Sequence, residues 1–152
     1  MNAGGALMAA ATLALAGCGD SGALRPPEIR LGEDVCVVCG MAVSDGRYAA
    51  AVVARLDGRD EVLLLDDIGE LPRLALPRHD ELGVFVRDED TQGWLEADRA
   101  YFIRSDSLRT PMGFGIAALA SEERAAARAA ELGGARVPFE ELRPGRGAAG
   151  AR

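Results

Sequence analysis

Lysine is absent from this chain and histidine occurs once, at His79; all seventeen basic residues are arginine. The arginine-only usage marks genomic base composition more than function. With one histidine, three cysteines and no second Cys-x-x-Cys, a four-ligand zinc site is poorly supplied. Positive charge is also in deficit, with a net charge of -7 and a pI near 4.8, which argues against a nucleic-acid partner. Charged side chains are missing altogether from Met1 to Gly17. The apolar run inside that segment falls short of the roughly 20 residues that span a bilayer, and no later stretch is apolar for long enough either.

What is present at the N-terminus is a signal-peptide core over residues 1–17, closed by Leu15-Ala16-Gly17-Cys18. That sequence resembles a bacterial lipobox, in which the cysteine becomes the lipidated first residue of the mature protein. Cys18 is therefore expected to be a lipid anchor and not a metal ligand. Residues 18–35, rich in Gly, Ser and Pro at their start, read as the tether.

The remaining thiols stand in Cys36-Val37-Val38-Cys39-Gly40-Met41, two thiols and a thioether within six residues. Soft sulfur donors of this kind select soft ions such as Cu(I). A second methionine lies far downstream in Thr110-Pro111-Met112-Gly113, again beside a glycine that lets the backbone turn. Other readings stand beside this one. An exported Cys-x-x-Cys can form a structural disulfide or serve as a redox pair, and Met41 and Met112 can be gap-filling core residues. His79, between Arg78 and Asp80, reads as solvated in a polar loop. Asp66 and Asp67 look like paired carboxylates, but at a strand-to-helix junction capping is the simpler role. Trp94 and Tyr101 read as core or lobe-interface aromatics.

Along the chain, Arg47–Leu56 and Glu61–Leu65 flank Asp57-Gly58 and predict a hairpin. Apolar residues at Ile68, Leu71, Leu74 and Ala75 predict a helix over 68–76 with Asp67 as N-cap. Gly83–Val86 reads as a strand and Asp88–Gly93 as a polar turn. The order then repeats: strands at Ala100–Ile103 and Gly115–Leu119, a Ser121–Leu132 helix stopped by Gly133-Gly134, and a short strand over Ala135–Phe139. The expectation is an α+β protein of two similar small lobes, each strand, strand, helix, strand. The lobes are placed at residues 36–98 and 99–143, with a disordered tail over 144–152.

In this order the chain resembles the NosL family of nitrous-oxide-reductase accessory lipoproteins. The resemblance is carried by Leu15-Ala16-Gly17-Cys18, Cys36 to Met41, Leu65-Asp66-Asp67-Ile68-Gly69, Thr110-Pro111-Met112-Gly113 and the closing run Ala125–Leu142. It implies two ββαβ-type lobes related to the organomercurial lyase fold. It also implies a Cu(I)-binding metallochaperone without catalytic turnover, on the periplasmic side of the cell envelope. The recipient would be the copper sulfide centre of nitrous oxide reductase, reached beside an ABC-type maturation complex. By the same resemblance Cys39, Met41 and Met112 are the expected copper donors, with Cys36 the less certain fourth. A thiol-disulfide oxidoreductase built on Cys36 and Cys39, or a chaperone for another cuproprotein, is the alternative.

Overall fold

The computed structural model describes residues 24–146. Small, apolar and β-branched residues build the first hairpin, β1 (Ala50–Leu56) and β2 (Arg59–Leu65), paired antiparallel from Ala50 with Leu65 to Leu56 with Arg59. Its two-residue turn is Asp57-Gly58, both at positive φ (50° and 77°), the handedness that matches strand twist. A 3-10 helical turn, Ile68–Arg73, follows at once and leads through a short turn at Arg78–Asp80 to β3 (Glu81–Arg87) and β4 (Trp94–Glu96). The first sheet has the order β2-β1-β3-β4.

The second unit repeats the plan. β5 (Tyr101–Arg104) and β6 (Ile116–Leu119) pair antiparallel, α1 (Glu122–Leu132) crosses over, and β7 (Ala135–Val137) returns to the other side of β5, in the order β6-β5-β7. A last turn of helix, α2 (Phe139–Leu142), closes the chain. In both units the first strand is central, held between its hairpin partner and the strand that follows the helix. This is the two-lobed α+β fold read from the sequence.

One apolar core joins the lobes. Val52, Leu65, Ile68 and Leu71 from the first are buried with Phe102, Ile116 and Leu142 from the second, and Phe102 stacks on Phe139 with ring centroids 5.6 Å apart. α1 presents only Ala125 and Ala129 as fully covered residues, small enough to let its backbone lie close on β5 and β6. Beside the core, the Glu89 N–H donates to the Ala118 carbonyl at 2.9 Å, and Arg128 holds the Glu89 carboxylate through two contacts of 2.9 and 3.0 Å. The β3–β4 turn is thereby fastened to the second sheet.

Four details depart from the sequence reading. The helix expected over 68–76 is a 3-10 turn ending at Arg73: Pro72 supplies no N–H, and Leu74 already has extended backbone. β4 and α2, three and four residues long, carry too little periodicity to be read in advance. The tail is expected from Pro144, yet Pro144 is buried and the Gly145 N–H donates to the Leu74 carbonyl at 2.8 Å, so the chain is seated through Arg146, and residues 147–152 lie outside the described residues. Finally, Met41 precedes β1 whereas Met112 lies between β5 and β6, so the internal repeat does not relate the two methionines. The signal peptide and Cys18 lie outside the described residues.

Candidate metal centre

The Cys-x-x-Cys segment forms a closed turn. The Cys36 N–H donates to the Met41 carbonyl at 2.8 Å and the Gly40 N–H returns to the Cys36 carbonyl at 3.0 Å, while Val35 and Ala42 form an antiparallel bridge behind them. Gly40 closes the turn at φ 74°, which a residue with a Cβ rarely adopts. The turn is fixed to the first sheet by the Val37 N–H, which donates to the Leu64 carbonyl of β2 at 2.9 Å. These bonds sort the side chains by depth. Cys36 is fully buried, Cys39 half-buried, and Met41 is 49% exposed.

Beneath the turn lies a residue that the sequence reading missed. Glu70, 1% exposed, accepts the Cys36 thiol proton on Oε2, with sulfur and oxygen 3.1 Å apart. Among the described residues, Cys36, Cys39 and Glu70 form a group whose ligand atoms all lie within 4.8 Å of one another and can hold a metal ion. The signal for Glu70 was present as Asp67-x-x-Glu70, the spacing of a capping box. The box is formed: Asp67 accepts the Gly69 N–H at 2.9 Å and Glu70 accepts the Asp67 N–H at 3.2 Å.

The same helical turn grips the Met112 segment. Asp67, fully buried, accepts the Thr110 hydroxyl at 2.6 Å and the Met112 N–H at 3.0 Å on Oδ2. Gly69 is required at its position, because a Cβ there would fall on the side chain of Phe114. The Phe114 ring in turn lies under the Arg73 guanidinium, 4.7 Å from its centroid. Asp67 thus caps as expected, and Asp66 does something else: it accepts the Ser44 N–H at 2.7 Å, holding the chain as it leaves the cysteine turn. His79 is exposed beside Asp80 and takes no part. Trp94 and Tyr101 are partly covered, each beneath an arginine, Arg87 and Arg136 respectively.

Electrostatics at the site disfavour free anions. Burial, with the neighbouring Cys36 and Glu70 adding to it, pushes the Cys39 thiol up to about 12. Burial likewise raises the Asp67 carboxyl above its ordinary value, against the pull of the hydrogen bonds it accepts from Thr110, Gly69 and Met112. Cys39 is accordingly a protonated thiol at neutral pH, whose proton a soft cation must displace.

The NosL family model matches residues 29–146 and so takes in the cysteine turn, the capped helical turn and the Met112 segment. The chain belongs to the NosL family. The copper-binding lipoprotein NosL of Stutzerimonas stutzeri is 31% identical over 154 residues, covering 93% of this chain and 80% of that protein. The crystal structure of the copper chaperone NosL from Shewanella denitrificans superposes with a TM-score of 0.66 over 78% of this chain and 96% of the other, at 20% identity. The fold is therefore that of a solved NosL.

Proposed function

We propose that this NosL chain is a Cu(I) carrier of the cell envelope, with Cys39, Met41 and Met112 as its copper donors, Cys36 beside them, and Cys18 as its lipid anchor. The observation that carries the reading is the double attachment of the helical turn at Asp67–Glu70. It holds the Cys36 thiol through one carboxylate and the Met112 backbone through the other, so sulfur donors 71 to 76 positions apart in numbering share one support. One thiolate with Cu(I) makes a neutral unit, and thioethers complete the shell without added charge, so the cation can be buried cheaply and selectively. Half-exposed Cys39 and exposed Met41 leave the metal open to ligand replacement by a recipient. A carrier needs that property.

Family membership supports delivery to the copper sulfide centre of nitrous oxide reductase, through its ABC-type maturation complex. The thiol-disulfide alternative runs against the site's chemistry. Cys36 is fully buried, and the Cys39 thiol is raised where an attacking thiolate calls for a lowered one. The test is anaerobic loading with Cu(I), X-ray absorption of the loaded protein, and transfer to metal-free nitrous oxide reductase with its maturation complex. One Cu(I) per chain in a sulfur-dominated shell, followed by gain of the copper sulfide centre, is expected. A nitrogen-dominated shell or a preference for Zn(II) would contradict the copper reading, and copper binding without transfer would contradict the recipient.

A further inference from the structure

Glu70 is a buried carboxylate that the copper reading does not use. Its Oε2 accepts the Cys36 thiol at 3.1 Å and the Asp67 N–H at 3.2 Å, the Cys39 thiol also bonds to this carboxylate, and no arginine is among these partners. A buried carboxylate without a cation is costly, and these donors are what offset the cost. The Cys36 sulfur is engaged on its other side as well. It faces the Val38 N–H at 3.4 Å and the Cys39 N–H at 3.5 Å, both inside the Cys-x-x-Cys turn, so it organises that turn from within. Cys39 sits one step outward and half-exposed. Coordination by both thiolates beside the Glu70 carboxylate would add uncompensated negative charge in a buried setting, whereas coordination by Cys39 alone leaves the Cys36–Glu70 bond intact.

We infer that Glu70 is a positioning residue of this site, pinning the Cys36 thiol so that Cys36 shapes the turn while Cys39 presents its sulfur to the metal. The inference rests on the copper reading, and its test separates the two.

Four variants of the full chain would be compared: Cys36→Ser, Cys36→Ala, Glu70→Gln and Glu70→Leu. A serine hydroxyl still donates to Glu70 and accepts the two N–H groups but is a poor Cu(I) ligand, and a glutamine oxygen still accepts the thiol. Cys36→Ser and Glu70→Gln should therefore release Cu(I) to a chelator within about threefold of the parent, whereas Cys36→Ala and Glu70→Leu should release it about tenfold faster, the size expected when a buried hydrogen-bond partner is lost. In the metal-free parent, iodoacetamide should spare buried Cys36, and Glu70→Leu should make Cys36 reactive.

The inference is overturned if Cys36→Ser loses copper as fast as Cys36→Ala with one sulfur fewer in the X-ray absorption shell, since Cys36 is then a ligand. It is overturned too if an oxygen scatterer in the parent disappears in Glu70→Gln, or if the variants lower the melting temperature and leave copper release alone. Should Glu70→Leu fail to fold, the serine-against-alanine contrast still decides. Failure of the parent to take up Cu(I) would sink the copper reading, and the pin would then stand or fall on whether Cys36 becomes reactive in Glu70→Leu.

Discussion

At the scale of single residues, depth and charge rank the sulfur donors. Cys39→Ala removes the proposed thiolate, the one ligand that neutralises Cu(I), and should all but abolish binding in chelator competition. Met112→Leu nearly conserves volume and should cost the fold less than ~1.5 kcal/mol, yet the lost thioether should weaken copper binding or speed its release. Parent-like copper binding by Met112→Leu would confine the site to the cysteine turn. The Cys39 proton supplies a second measurement. Because burial holds that thiol at about 12, loading at neutral pH must release a proton. Apparent affinity should climb about tenfold per pH unit for each proton displaced. A pH-independent affinity between about pH 6 and 8 would show that no proton is displaced on loading, so that Cys39 is either ionised beforehand or not the ligand. The sign for folding is the opposite one. A raised folded value makes the metal-free protein lose stability as pH rises from the ordinary thiol range of ~8.5 toward about 12, which chemical denaturation across that range would show.

At the scale of elements, the 3-10 turn Ile68–Arg73 is the part on which both lobes are assembled. In Asp67→Asn one carboxylate oxygen becomes an NH2 group. The amide oxygen can still cap Gly69, but the NH2 group faces the Met112 N–H, donor against donor. The variant should be destabilised by roughly 1–3 kcal/mol, the cost of an unsatisfied buried group. The Met112 amide should also lose protection from hydrogen exchange, while amides in β1 keep theirs until global unfolding. Uniform loss of protection across both sheets would show a general fold defect instead. Gly69→Ala tests the other contact, because its Cβ must displace Phe114 and with it the Thr110–Gly115 segment. An overpacking cost of about 1–3 kcal/mol is expected in thermal or chemical denaturation. Stability equal to the parent would show that Phe114 moves aside freely.

At the scale of the whole molecule, the proposed site draws on both lobes of a chain proposed to be tethered at one end. Cys18→Ala should release the protein from envelope membranes into the soluble fraction, and unchanged fractionation with no lipid on the native protein would refute the anchor. The sequence by itself determined the parts whose physics is local. Small, apolar and β-branched runs on either side of Asp57-Gly58 make the first hairpin, and Ser121 with an Ala-rich run and Gly133 makes α1. The repeated strand, strand, helix, strand order was legible for the same reason, since each element depends on neighbours only a few positions away. The candidate donors were legible as chemistry, because sulfur is soft wherever it stands. Tertiary structure alone decided what joins them. Glu70 was not singled out from the sequence, and its carboxylate meets the Cys36 thiol across 34 positions, while Asp67, read as a cap, takes the Met112 N–H as well, across 45. No period or propensity encodes such pairings, which exist because burying Ile68 and Leu71 in the shared core sets the helical turn between the two lobes and leaves its carboxylates to satisfy whichever donors arrive there.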